Sequence, residues 1–257
     1  MGTPTLCVVC SHPGTMSAAR QFAEQHKLCL TAEKNHEYDL QLCFGVEKIE
    51  LFERELNTAI HVDFVEGALG HRQQFGGGRG QAIARAIGLR HGKTPSILDV
   101  TAGLARDAWI LASLGCRVTL VERSAVLAAL INDGITRARH DAIGAQILAN
   151  NFHLVQRDSV TYMQQLDEAA RPEVIYIDPM YPERKKSALV KKDMQILQRL
   201  LGKDDNAEAL LTAALACARK RVVVKRPAHA ETAGTIAPST SISSKKTRYD
   251  IYVIEKI

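Results

Sequence analysis

Residues 96–123 read SILDVTAGLARDAWILASLGCRVTLVER, and this stretch decides the fold. Ser96–Val100 is an apolar run that ends in a turn of small residues. Leu104–Leu114 reads as a helix, and Arg117–Val121 as a second strand. The same alternation continues downstream. Ser124–Ala138 predicts a helix, with Val126, Leu127, Leu130 and Ile131 on its apolar spacing. Phe152–Gln156 and Val174–Ile177 predict strands, Lys192–Leu201 and Ala207–Arg219 helices, and Val222–Lys225 and Arg248–Ile254 strands. Strands alternating with helices specify an α/β domain around a mostly parallel sheet. Ligands of such sheets bind outside the carboxyl ends of the strands, so the polar residues after each strand are the candidates for function.

Upstream, residues 1–66 read as a small α+β unit. Strands are expected over Thr5–Cys10, Leu40–Phe44, Ile49–Phe52 and Ile60–Phe64, and a helix over Ser17–His26. Residues 67–95 hold a Gly/Arg-rich linker and a helix at Gln81–Leu89, which leaves 96–257 as the α/β domain. Charge follows this division: residues 1–66 carry 5 Lys and Arg against 10 Asp and Glu, and the remainder 28 against 18. A basic region suits a polyanion such as nucleic acid, although a solvated surface gives the same count.

The 257 residues are 46% hydrophobic and 24% charged, which excludes disordered and fibrous classes. No apolar run is long enough to span a membrane and no signal peptide is expected, so the expected compartment is the cytoplasm. Cys7 and Cys10 form a CxxC, but inside the apolar run LCVVC, which reads as a buried strand. These and Cys29, Cys43, Cys116 and Cys217 are expected to be free thiols, and the histidines have no metal-ligand spacing.

The strand ends carry the chemistry. After the first α/β strand come Asp99, Thr101, Gly103, Arg106 and Asp107. Here a glycine turn and a helix N-terminus can receive an anionic group, and the dinucleotide GxGxxG is absent. Glu122 ends the second strand, where an acid can accept from both hydroxyls of a ribose, and Arg123 follows it. Asp158 and Ser159 end the third strand; they can meet an adenine edge, or Ser159 can cap the next helix. After the fourth strand comes Asp178-Pro179-Met180-Tyr181. It resembles the (Asp/Asn)-Pro-Pro-(Tyr/Phe) motif of S-adenosylmethionine-dependent methyltransferases that act on amino groups, with Met180 in place of the second proline. Asp178 and the Pro179 carbonyl can accept the N–H bonds of a nucleobase amine, and Tyr181 can stack on the base.

Cations gather around these positions. Arg184, Lys185, Lys186, Lys191 and Lys192 follow the motif, Lys225 and Arg226 end the fifth strand, and Arg72 and Arg79 lie in the glycine-rich linker. All are candidates for RNA phosphates. Each cluster taken alone is also compatible with ordinary solvated surface.

Taken together, FVEGALGHRQQFGGGRG, ILDVTAGLARDAW, LASLGCRVTLVER, YIDPMYPERKKSALVKK, KRVVVKRP and RYDIY resemble the RsmJ family of bacterial 16S ribosomal RNA guanine-N2 methyltransferases. The resemblance covers roughly residues 62–255. It implies a Rossmann-like methyltransferase sheet, S-adenosylmethionine as cofactor, and 16S rRNA or the 30S subunit as partner; no metal is expected, because the leaving group of such a methyl transfer is a neutral thioether. It places cofactor positions on Arg106, Asp107, Glu122, Arg123, Asp158, Ser159 and Asp178; the family commonly carries two serines where this chain has Asp158-Ser159. The tetrad alone leaves adenine N6 and cytosine N4 open as targets. The basic surface alone leaves open a non-catalytic RNA-binding module, and the sheet with Glu122 a nicotinamide-dependent oxidoreductase.

Overall fold

A computed structural model describes residues 4–66, 78–89, 92–149, 152–179, 192–202 and 207–255. Its contacts divide the chain into two compact units. One takes Met1–Val62, Ser124–Arg137 and Met180–Lys203, the other Asp63–Arg123, Ala138–Pro179 and Asp204–Ile257. The units therefore do not follow chain order, whereas the boundaries drawn at 66 and 95 do.

The first unit holds a five-stranded sheet of β1 (Leu6–Val9), β2 (Cys29–Thr31), β3 (Leu40–Phe44), β4 (Ile49–Glu53) and β5 (Thr58–Ile60), ordered β2-β1-β3-β4-β5. β1 runs parallel to both its neighbours, and β3, β4 and β5 form antiparallel hairpins. Helix α1 (Pro13–His26) starts four residues earlier than its apolar spacing suggests. Pro13 is pre-set for a first helical turn, and the His12 ring accepts from the Gly14 amide. Helices α4 (Ala125–Ala138) and α7 (Lys192–Leu201) contribute most or all of their length to this unit. Cys7 and Cys10 are buried, and all six cysteines are free thiols. β2 went unread because three residues give no period to detect.

The strand expected over Ile60–Phe64 is a correction. Pairing ends at Ile60, and the Asp63 carboxylate accepts from the Val65 and Glu66 amides, which turns the chain out of the ladder. Val62 and Phe64 are nevertheless buried, so the alternation recorded burial without pairing.

The second unit is built on a seven-stranded sheet. Its strands are β6 (Ser96–Asp99), β7 (Arg117–Glu122), β8 (Phe152–Gln156), β9 (Val174–Ile177), β10 (Arg221–Pro227), β11 (Thr240–Ser243) and β12 (Thr247–Val253). The order is β11-β12-β10-β9-β6-β7-β8. β6 to β10 are parallel, and β12 is antiparallel to both β10 and β11. From β6 the chain winds to β7 and β8 on one side, then returns to β9 and β10 on the other. The switch point therefore lies between β6 and β9, where such sheets open a binding crevice.

Helices α2 (Ala82–Ala86), α3 (Arg106–Ser113), α5 (Ala142–Ala149), α6 (Ser159–Gln164) and α8 (Ala207–Cys217) complete this unit. Leu98, Val121, Ile175, Ile177, Val222 and Val224 pack with Leu211 and Ala214 of α8. The strands read as continuous apolar runs because both faces are covered. Phe64 stacks on Trp109 at 4.4 Å between ring centroids, and Phe152 meets both edge-on. These rings fix α3 under the sheet.

Candidate active site

The turn after β6 is the hub. Asp99 is buried at the strand end, and its Oδ1 accepts from both the amide and the hydroxyl of Thr101. The Thr101 hydroxyl oxygen in turn accepts from the Asp178 amide at 2.7 Å, which ties the end of β9 to this turn. Glu122, buried at the end of β7, accepts the Gly103 amide at 3.1 Å. The Ser159 hydroxyl donates to the Val100 carbonyl at 2.7 Å. Four strand ends thus converge on residues 99–103.

Gly103 has φ +55, and a Cβ there would meet nothing nearer than the Thr101 carbonyl at 3.8 Å. The turn needs the left-handed region and leaves open space beside its backbone. Ala105 is also left-handed, at φ 56, immediately before α3. A non-glycine residue there costs about 1 kcal/mol, which the surrounding bonds hold in place.

Three acids crowd this hub. Burial pushes the Asp99 carboxyl up to about 7; the Thr101 amide opposes the rise, and the charges of Asp107 and Asp178 add to it. Burial likewise pushes Asp178 up to about 6, against the pull of the Lys225 ammonium and with the push of Asp107. The Asp178 side chain keeps 37% of its surface open, so it stays reachable by an incoming group. Pro179 is buried beside it.

The other predicted positions divide. Arg106 and Arg123 are exposed, at the start of α3 and after β7. Asp158, not Ser159, is the N-cap of α6: its Oδ1 accepts from the amide and hydroxyl of Thr161, and the amide bond holds its carboxyl below the usual range. Ser159 instead opens the helix. Arg79 is exposed in a short 3-10 turn. Lys192 donates to Thr58 Oγ1 and the Leu56 carbonyl in the first unit.

Two of the cations proposed for RNA are placed otherwise. Arg226 is 7% exposed and so offers little surface to a phosphate. Lys225 turns into the site and lies 2.7 Å from both Asp107 and Asp178. Arg72, Tyr181, Arg184, Lys185, Lys186 and Lys191 fall outside the described residues. Sequence reading missed Tyr176, whose buried hydroxyl donates to Asp107 Oδ2 at 2.8 Å. The signal was there: Tyr176 stands two residues before Asp178, on the same side of the strand.

A parallel-dominated sheet with an antiparallel β12, a glycine turn after its first strand and acids at successive strand ends define the class: an S-adenosylmethionine-dependent methyltransferase. A family model described as "Putative SAM-dependent methyltransferase" matches residues 21–254. Among curated proteins, the chain is 53% identical over 222 residues to ribosomal RNA small subunit methyltransferase J of Colwellia psychrerythraea, covering 86% of this chain and 78% of that one. It is 44% identical over 251 residues to the Photobacterium profundum protein of the same name, covering 96% and 97%. Among solved structures, a SAM-dependent methyltransferase from Neisseria gonorrhoeae superposes with a TM-score of 0.75 at 31% identity, over 97% of this chain and 96% of that one. The chain belongs to the ribosomal RNA small subunit methyltransferase J family.

Proposed function

We propose that this enzyme methylates the exocyclic 2-amino group of a guanosine in 16S rRNA of the small ribosomal subunit, acting in the cytoplasm. One observation carries the chemistry. The Asp178 amide is bonded to Thr101, so the Asp-Pro pair that would hold a substrate amine is fastened to the turn that would hold the cofactor.

The residues suit S-adenosylmethionine. The Gly103 turn leaves room for close approach, Glu122 stands where ribose hydroxyls are bound, and Asp99, Thr101, Arg106, Asp107, Arg123, Asp158 and Ser159 supply polar groups around it. S-adenosylmethionine supplies a methyl group on a sulfonium, whose departure leaves a neutral thioether. Asp178 and the Pro179 carbonyl accept the two amine hydrogens, which orients the nitrogen lone pair and stabilises the charge that develops on it. Asp178, or water beside it, would take the proton that the amine releases once it carries the methyl group. Tyr181 stacks on the extruded base. Arg72, Arg79, Arg184, Lys185, Lys186, Lys191 and Lys192 meet phosphates, and residues 1–66 help to orient the ribosomal substrate ahead of the methyltransferase domain at 96–257.

The test is methyl transfer from isotope-labelled S-adenosylmethionine to 30S subunits lacking the modification, and separately to 16S rRNA, followed by nucleoside mass spectrometry. Labelled N2-methylguanosine is expected. Labelled N6-methyladenosine or N4-methylcytidine would keep the chemistry and overturn the base; no label would overturn the reading.

A further inference from the structure

Lys225 stands near the end of β10, paired in register with Tyr249 of β12. Its ammonium lies 2.7 Å from Asp107 Oδ2 and 2.7 Å from Asp178 Oδ2. Asp107 sits in the first turn of α3, and Asp178 follows β9. One cation therefore joins three elements of the second unit. The Tyr176 hydroxyl donates to the same Asp107 oxygen and completes the chain Tyr176–Asp107–Lys225–Asp178.

A lysine that collects RNA phosphates keeps its ammonium in solvent, where it acts as a hydrated point charge. Lys225 does the reverse. Only 27% of its side chain is exposed, and both oxygens it meets belong to residues at the hub. We propose that Lys225 is a positioning residue for methyl transfer: it clamps one oxygen of Asp107 and one of Asp178, fixing the two carboxylates relative to each other. This rests on the reading above, in which Asp178 holds the substrate amine and Asp107 belongs to the cofactor site.

The electrostatics require such a clamp. Asp99 from β6, Asp107 from α3, Tyr176 from β9 and Asp178 just after it all face one small volume, with Tyr249 of β12 beside them. Three carboxyls this close repel, and without a counter-charge one takes up a proton. A protonated Asp178 would offer a donor where the amine needs an acceptor. Burial opposes the Lys225 charge, but Asp107 and Asp178 overcome it, so the ammonium titrates above its ordinary value. The cation thus stays on while Asp178 stays ionised at neutral pH, as its value of about 6 requires. Lys225 acts through the two acids and touches neither reacting atom in this role.

The experiment compares wild type with Lys225→Met and Lys225→Arg in the full-length protein. Carboxyl 13C NMR follows the Asp178 titration without need of activity. In Lys225→Met the Asp178 midpoint should rise by about one pH unit or more, because a neighbouring positive charge is lost. In methyl transfer, kcat should fall by about tenfold or more with KM for the RNA substrate nearly unchanged, and the acid limb of the pH profile should move up with the NMR midpoint. Lys225→Arg should restore much of both. Should Lys225→Met fail to fold, Lys225→Gln takes its place.

An unmoved Asp178 midpoint overturns the clamp. So does a normal kcat with weaker RNA binding and a salt dependence reduced by about one ion, which is the behaviour of a phosphate contact. Loss of thermal stability with neither a pH shift nor rescue by arginine overturns it too, in favour of a purely structural ion pair. A wild type that transfers no methyl group to RNA would sink the functional reading, while the NMR midpoints still decide the clamp.

Discussion

The two sheets hold their acids in opposite ways. In the five-stranded sheet Glu53 is completely buried, but it is answered by Arg199 and by the Leu56 amide. Asp39 accepts from Thr5 and Arg54, and these bonds hold its carboxyl below the usual range. At the ends of the seven-stranded sheet the balance is reversed. Asp99, Asp107 and Asp178 share one volume in which Lys225 is the cation the two outer acids meet, and the carboxyls of Asp99 and Asp178 are pushed up. An acid with its own cation builds structure. Acids gathered beyond the counter-charge that the described residues bring to them hold unfavourable energy at one place, and such places are characteristic of sites that work on a ligand.

This contrast can be broken or sharpened by substitution. The largest effect is expected at Asp178. Asp178→Asn should lower kcat by about 10²–10³ while its thermal melt at neutral pH does not fall, because the change removes a charge that the fold disfavours rather than packing from a core. Single-turnover methyl transfer beside a melting curve checks this.

Asp99 comes next, and its effect is on stability. Its folded carboxyl titrates at about 7, against about 4 for an unfolded aspartate. The stability this group contributes is therefore full below about pH 4 and is lost as pH rises through about 7. Asp99→Asn keeps an oxygen for Thr101 and has no proton to lose. It should be more stable than wild type at pH 8 by up to about 4 kcal/mol, with the gap closing toward pH 4. Urea denaturation across that range measures it; a constant gap would contradict it.

Glu53→Gln should show the other behaviour. Removing one partner of a buried pair is costly, but Arg199 keeps 34% of its side chain exposed, so the loss should be about 2 kcal/mol, below the fully buried range. Turnover per folded molecule should be unchanged. The smallest effect is at Asp158. Asp158→Ala should cost about 1 kcal/mol through the lost cap of α6, and Asp158→Asn should recover it.

Much of this arrangement was legible in the sequence. β3, β8 and β9 appear at the residues their apolar runs mark, and the rule that ligands meet parallel strands at their carboxyl ends singles out Asp99, Glu122 and Asp178 from the sequence alone. Short elements were not legible: β2 and β11 carry no usable period, and α5 is a small-residue helix whose apolar positions do not stand out. The strand expected at 60–64 failed because alternation reports burial, and Asp63 turns the chain away from pairing. Lys225 was hidden for a different reason. In the run KRVVVKRP a strand period cannot say which side of β10 meets acids brought by α3 and β9. That is decided by sheet order, which no local pattern contains. Asp158 illustrates the same limit, since a cap and a ligand contact are written with the same residue.

The central claim is that the ends of β6 and β7 form a site for S-adenosylmethionine, and calorimetric titration with S-adenosylhomocysteine tests it most directly. Glu122→Gln keeps an oxygen for the Gly103 amide but loses the charge expected to bind ribose hydroxyls. Saturable binding to wild type, weakened by about tenfold or more in Glu122→Gln with an unchanged melting temperature, is the predicted result. Absence of binding to wild type, or equal affinity in the two proteins, would contradict it.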